Sequence, residues 1–510
     1  MNSPGEPVSS RIPIVFNDGE ADMTAVIARA MSAARIAQKR WSRNPMARRL
    51  ELVRELRELI AEHATSLAEA SASARNRPPV ESLLAEVLPL AEACRFLERE
   101  AEKILWPRRF GRRGLPLWLA GVRTEIHREP FGVVLIIGPG NYPLLLPGTQ
   151  LIQALVAGNA VLLKPGVGGA AAARALCELI VRAGFDPQLV AVLPESSPAA
   201  RMAIAARPDK VIFTGSAATG EMILGQLAEE IIPATMELSG CDAVIIREDA
   251  DLELVVKALT FGLTLNHGAT CMAPKRVFVS AAKATELEGR LARALSESSR
   301  FQVPSSASDP HLLPLVEEAA SLGAHLIAGG IRNDRTATMP LVLGGVSPSA
   351  QILHADIFAS ILAIVTVVDD HEAVLRANDC PYALAASIFS RDESAARALA
   401  TRVNAGSVCI NDLIVPTADA RLPFGGRGRS GFGSTRGAEG LLELTTPKVI
   451  TVSRGKFRPA FEEPQRGDEQ MFSAYLRLTH GRGWKYRWQA LVSLIQFVSR
   501  RKKTTSRDKL

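Results

Sequence analysis

No two of the six cysteines form a Cys-x-x-Cys spacing; Cys94, Cys177, Cys241, Cys271, Cys380 and Cys409 are scattered through 510 residues. That scatter excludes a disulfide framework and a zinc knuckle, so no metal site is expected and a reducing, cytoplasmic setting is. The opening Met1-Asn2-Ser3-Pro4-Gly5-Glu6 lacks a basic segment followed by an apolar one, and no secretory signal is expected. No run reaches the roughly 20 uninterrupted apolar residues of a membrane span, and there is no internal repeat or low-complexity tract. Net charge is +7, yet residues 471–510 hold ten Lys or Arg against one acid, Asp508, so the other 470 residues sum to −2. The body therefore has no electrostatic reason to bind nucleic acid. With 47% apolar and 22% charged residues, this is a globular chain long enough for two or three domains.

From Asp22 to Ala72 the apolar positions recur at helical spacing (Val26, Ala30, Ala33, Ile36; then Leu50, Val53, Leu56, Ile60), and a second helical stretch runs from Val80 to Leu105. Beyond Gly132 strand and helix signals alternate. The strand-like runs are Val133–Ile137, Ala160–Leu163, Leu189–Leu193 and Lys210–Phe213, and a second series begins at Ala243–Ile246 and continues through Val277–Val279, Leu362–Val368 and Ser407–Ile410. Continuous β-branched runs separated by amphipathic helices predict two α/β domains, the first doubly wound around a parallel sheet.

Chemistry-bearing residues punctuate these runs. Gly138-Pro139-Gly140-Asn141-Tyr142-Pro143 turns sharply after a buried strand and exposes the Asn141 amide where ligands bind such sheets. Lys164 leaves the next strand. Phe213-Thr214-Gly215-Ser216-Ala217-Ala218-Thr219-Gly220 lets a helix N-terminus approach a phosphate. Glu237 is an acid in an apolar segment, where a raised pKa suits a general base. Cys271 sits in a small-residue turn, Gly268-Ala269-Thr270-Cys271-Met272-Ala273-Pro274, ahead of a strand. Each alone has a plainer reading: a turn asparagine, a solvated lysine, a capped helix, a surface acid, a core cysteine.

Together and in this order, with Asp356-Ile357-Phe358 and Leu422-Pro423-Phe424-Gly425-Gly426 downstream, they resemble the aldehyde dehydrogenase superfamily over residues 22–455, most closely its class 3 and fatty aldehyde dehydrogenase branch. The resemblance implies that fold: a Rossmann-like, doubly wound cofactor domain, an α/β catalytic domain and a small β oligomerisation arm. Residues 1–20, rich in Pro, Ser and Gly without periodicity, are expected to form a flexible arm; the resemblance implies a dinucleotide-binding domain at 21–236 with parts of 412–440, and a catalytic domain at 237–411. Residues 114–128 with 441–455 would form the oligomerisation arm of a homodimer, and 456–510 a basic amphipathic tail.

By the same resemblance Cys271 is the nucleophile of a thioester route. The Asn141 side chain and the Cys271 N–H form the oxyanion hole, and Glu237 activates the hydrolytic water. Lys164, Gly215, Ser216, Gly220, Asp356 and Phe358 bind NAD or NADP, with NAD ahead. The activity implied is NAD(P)-dependent oxidation of a lipophilic aldehyde, long-chain or aromatic, to the carboxylate. Retention of Glu237 speaks against the alternative of a thioester passed to coenzyme A. A membrane-associated scaffold with an impaired site is the reading from outside enzymology, motivated by departures from the family pattern. Asp356-Ile357-Phe358-Ala359-Ser360 replaces Glu-Ile-Phe-Gly-Pro, Ser239 and Cys241 replace glycine and lysine, and Ala269 replaces glutamine. Gly140 replaces tryptophan, Val167 stands where an acid favours NAD, and residues 301–329 are shortened.

The tail has its own pattern. On a helix Trp488, Leu491, Val492, Ile495 and Val498 share a face, with Arg500, Arg501, Lys502 and Lys503 following. That predicts peripheral contact with the cytoplasmic face of a membrane, or docking on protein.

Overall fold

The structure is a computed structural model describing residues 20–507 except 74–76, 120, 298–305, 308–311, 332–336, 455–460 and 462. The arm expected over 1–20 lies outside them apart from Glu20, as do the side chain of Val498 and parts of the shortened 301–329 stretch. Two units divide the chain: Met1–Pro107 with Ile126–Lys448, and Arg108–Glu125 with Val449–Leu510.

In the first unit, helix Glu20–Trp41 buries Met23, Ile27, Ala30, Met31, Ala34 and Ala37. The stripe is thus one residue off the expected one, and Ile36 is 57% exposed. The larger side chains decide this: Ile27, Met31 and Trp41 reach the core together, while Arg35 turns outward to pair with Asp209 at 2.7 Å. Helix Met46–Glu62 buries Val53, Leu56 and Ile60 as its spacing predicts, and adds Leu52, while the expected Leu50 is only partly buried.

The first sheet is built from β1 (Val133–Ile137), β2 (Ala160–Lys164), β3 (Val190–Val192), β4 (Lys210–Gly215) and β5 (Ala234–Leu238). They are parallel, in the order β5-β4-β1-β2-β3, and the short strand Gly431–Phe432 lies antiparallel on β5. The order in which strands are added reverses between β1 and β4, so the crevice beyond their carboxyl ends is where such a sheet takes a ligand. β1 and β2 are buried at every residue, as strands covered on both faces must be.

A second sheet follows with β6 (Asp242–Ile246), β7 (Pro274–Ser280), β8 (Ala337–Gly344), β9 (Ile361–Val367), β10 (Ala385–Phe389) and β11 (Ser407–Ile410). Its order is β8-β9-β7-β6-β10-β11, all parallel, with Ser306–Ala307 and His325–Ile331 antiparallel on β8. β8 and β10 were not legible as strands. Pro340 interrupts β8 and speaks against a ladder, and the alanine-rich β10 lacks β-branched residues apart from Ile388.

The second unit holds strand Arg108–Phe110, and the sheet it forms runs through Val122–Pro130 to Thr445–Ser453. Helices Asp468–His480 and Trp484–Arg507 follow in the same unit, joined by an Arg487 Nε bond to the Leu478 carbonyl at 2.8 Å. Among the described residues no helix is long and apolar enough to cross a membrane.

Candidate active site

The turn carrying Cys271 is forced by backbone geometry. After helix Leu252–Thr264, Asn266 (φ 49°) and His267 (φ 53°) adopt the left-handed region that non-glycine residues avoid, and Gly268 follows at φ 74°. A Cβ on Gly268 would stand 2.5 Å from the Ser360 backbone, so only glycine lets the two loops meet. Ser360, where proline was expected, donates its hydroxyl to the Leu263 carbonyl at 2.7 Å. Its neighbour Ala359 accepts the buried Lys275 ammonium, which burial lowers to about 8. The departure at 360 is therefore built into the anchoring of this turn, whereas 359 contributes only its backbone carbonyl.

The Asn141 loop holds the thiol turn from the other side. Asn141 Nδ2 donates to the Ala269 carbonyl at 3.1 Å, and Asn266 Nδ2 bridges the Asn141 and Ala269 carbonyls at 3.0 and 3.1 Å. Tyr142 shares a 2.6 Å hydroxyl bond with Thr270, next to the thiol. Beneath this loop lies an ion pair that sequence reasoning missed: Arg77 and Glu86, both fully buried. Glu86 also accepts the Leu144 and Leu145 N–H groups at 2.8 and 3.0 Å, capping helix Leu145–Ala157, and Arg77 reaches the Asn141 carbonyl at 3.3 Å.

Glu237 is set by β5. A Cβ on Gly431 would collide with the Met236 carbonyl at 2.0 Å, so glycine there allows the short strand to pair and brings Thr435 back over β5. The Thr435 hydroxyl donates to Glu237 Oε2 at 2.7 Å, while Oε1 is buried without a hydrogen-bond partner. Burial raises the Glu237 pKa, and Arg436 and the Thr435 bond oppose the rise. Glu237 and Cys271 open on one cavity of about 700 Å³, walled by apolar side chains including Leu84, Leu145, Leu146, Phe261, Val415 and Phe424. Cys271 is partly exposed there. Apolar walls push its thiol well up, Glu237 and Asp242 add to that, and Arg436 and the Met272 N–H pull it back.

The other predicted residues lie apart from this cavity. Lys164 ends β2, buried, its pKa lowered by desolvation and supported by Glu195, whose carboxylate accepts the Gly168 and Ala170 N–H groups at 2.8 and 2.5 Å. Gly215 ends β4 and Ser216 caps helix Ala217–Glu230, its hydroxyl accepting the Thr219 N–H at 3.3 Å. A Cβ on Gly220 would meet Leu238 at 2.7 Å, so glycine seats that helix against β5. A cation at one strand end and an open helix N-terminus at another, across the switch point, fit the pyrophosphate and ribose of a dinucleotide. Asp356 is half-buried and within electrostatic reach of Lys275, and Phe358 is 44% exposed.

Thr435 and Arg436 had no sequence signal beyond the glycines around them, since what makes them functional is a contact across 198 residues. Val167, at the position of the expected acid, is 80% exposed and brings no charge to Lys164.

Comparison with known proteins agrees with this geometry. Residues 15–450 match the "Aldehyde dehydrogenase family". The 4,4'-diapolycopene aldehyde oxidase of a Methylomonas species is 30% identical over 441 residues, covering 85% of this chain and 82% of that protein. The structure of a Mycobacterium tuberculosis aldehyde dehydrogenase complexed with NAD+ matches with a TM-score of 0.76 at 26% identity, over 85% of this chain and 91% of that one. An NADP-dependent glyceraldehyde-3-phosphate dehydrogenase from Bacillus halodurans, complexed with NADP, matches with a TM-score of 0.76 at 27% identity, over 85% and 92%. With the family match over residues 15–450 and a relative 30% identical over most of both chains, the chain belongs to the aldehyde dehydrogenase family.

Proposed function

We propose that this aldehyde dehydrogenase oxidises a lipophilic aldehyde to its carboxylate through a thioester on Cys271, using NAD or NADP. The observation that carries the reading is the shared cavity: Cys271 and Glu237 open on one space of about 700 Å³ with predominantly apolar walls. Its rim continues the pattern, with Val80, Leu84 and Leu88 on one helical face at 61%, 65% and 53% exposure.

In this mechanism the Cys271 thiolate attacks the carbonyl carbon. The Cys271 N–H and the Asn141 amide proton not given to Ala269 stabilise the alkoxide that forms. Lys164, Gly215, Ser216 and Gly220 would hold the dinucleotide, which when bound would supply the hydride acceptor needed for the adduct to become a thioester. Glu237 Oε1, the oxygen without a partner, takes a proton from the water that hydrolyses it. Because burial raises this carboxyl, it titrates nearer neutrality than an ordinary glutamate, and hydrolysis slows as pH falls through that raised value.

Glu237→Gln is expected to leave the first turnover fast, giving a burst of about one NADH or NADPH per site, and to slow the steady state about 100- to 10,000-fold. Stopped-flow absorbance with dodecanal and each cofactor checks this. A slow first turnover, or an unchanged steady state, would remove Glu237 from the hydrolytic step. With Val167 adjoining Lys164 in place of an acid, the two cofactors should give kcat/KM values within about tenfold of one another.

The tail helix Trp484–Arg507 exposes Trp484, Tyr486, Trp488, Val492 and Ile495, with Lys485 and Arg487 among them. We read it as a peripheral contact with an anionic bilayer. Removing residues 482–510 should abolish co-sedimentation with phosphatidylserine vesicles; binding that survives the deletion rules the tail out.

A further inference from the structure

We propose that Arg436 is a positioning residue for the nucleophile: its buried guanidinium is the counter-charge that eases formation of the Cys271 thiolate in an apolar cavity that otherwise opposes it. The inference rests on Cys271 being the nucleophile. Arg436 follows the Thr435 that binds Glu237, and it lines the same cavity as Glu237 and Cys271. It is 7% exposed. Its Nη1 donates to the Thr417 carbonyl at 2.7 Å and its plane lies over the Phe424 ring at 4.4 Å, which fixes the guanidinium. Its Nε is buried with no hydrogen-bond partner, and it forms no ion pair among the described residues. A cation desolvated without a salt bridge is costly unless an anion forms beside it.

The groups around the thiol show which anion that is. Glu237 faces it from β5, Asp242 from β6 and Tyr142 from the loop after β1; Glu81, Glu92 and His267 line the outer cavity. Asp242 is pushed up to about 8 by burial and is mostly protonated near neutral pH. Tyr142 is pushed up and neutral. Among the described residues Arg436 is the positive charge that acts on both Cys271 and Glu237; Glu237 acts on it more strongly than Cys271 does, and Thr435 also bonds Glu237. Burial, Glu237 and Asp242 all oppose ionisation of the thiol, and Arg436 is the strongest of the groups that favour it, ahead of the Met272 N–H.

Alkylation by iodoacetamide tests this without any aldehyde: the thiolate attacks the methylene carbon, a C–S bond forms and iodide leaves. The rate is followed on the Cys271 peptide by mass spectrometry across pH 6.5–9.5. Peptide resolution is needed because Cys380 is half-buried and its thiol is lowered by Cys241 beside it, so it competes for the reagent. Arg436→Gln should slow Cys271 alkylation at pH 7.5 about tenfold or more, the equivalent of at least one pH unit in the profile, with the Cys380 rate unchanged. Arg436→Lys, which keeps the charge, should stay within about threefold of the wild type. An unchanged profile in Arg436→Gln overturns the proposal, and so does a tenfold loss in a folded Arg436→Lys. Should Arg436→Gln fail to fold, the lysine variant decides by the same limits. A negative result here leaves the nucleophile assignment standing, since that is read from turnover of Cys271 variants.

Discussion

Replacing Cys271 by serine is expected to lower kcat for aldehyde oxidation by about 10,000-fold or more while the fold and cofactor binding persist. A serine hydroxyl at this site has no base placed to ionise it: Glu237 is bonded to Thr435, raised by burial, and assigned here to the later water. The fold should survive because the turn is held by bonds from Asn141, Asn266 and Tyr142 to residues 269 and 270, none of which uses the sulfur. Absorbance of the reduced cofactor, with thermal unfolding as control, measures both. A serine variant that keeps more than about 1% of wild-type kcat would defeat the assignment of Cys271 as nucleophile.

Glu86→Ala should produce the largest loss of stability of any single change around the site, about 3–5 kcal/mol, because it leaves the Arg77 guanidinium buried and unpaired. It also strips the Leu144 and Leu145 N–H groups of their acceptor, each an unsatisfied buried donor. Activity should fall with stability, since the capped segment carries Asn141. Removing both charges in Arg77→Met/Glu86→Leu should cost less than Glu86→Ala alone, because no unpaired charge remains. Denaturant unfolding of the three proteins provides the comparison. A Glu86→Ala protein within about 1 kcal/mol of the wild type would mean that the pair is not structurally important.

The parts of the site that could be read from the chain share one property: their signal is local. Asn141, Lys164 and Gly215 each end a buried strand, and buried β-branched runs followed by glycine, proline or small residues are visible within ten residues. The second sheet was legible only in part. Pro340 hid β8, and β10 is a strand because β6 and β11 flank it, not because its alanines prefer extension. The helix stripe at Met23–Ala37 was misplaced by one residue because spacing alone cannot weigh Ile27 against Ile36 until the core that receives one of them exists.

The departures from the family pattern at Ala359 and Ser360 pointed toward an impaired site, and for Ser360 the structure supplies another account. Ser360 is a hydrogen-bond donor to Leu263, and Ala359 presents its carbonyl to Lys275. Neither role is written in the residue types, since each depends on a loop roughly 90 residues away.

By itself the sequence determined the alternating strands and helices of an α/β fold, because periodicity and turn residues act over short spans, and its resemblance to the aldehyde dehydrogenases pointed to the thiol, carboxyl, amide and lysine proposed to carry the chemistry. Only the tertiary structure decided that Cys271 and Glu237 share an apolar cavity, that Thr435 holds the carboxyl, and that Arg436 lies beside both. The physical reason is that the ionisation of a buried group depends on desolvation and nearby charge, and those neighbours are brought in from 198 and 165 residues along the chain, Thr435 to Glu237 and Arg436 to Cys271.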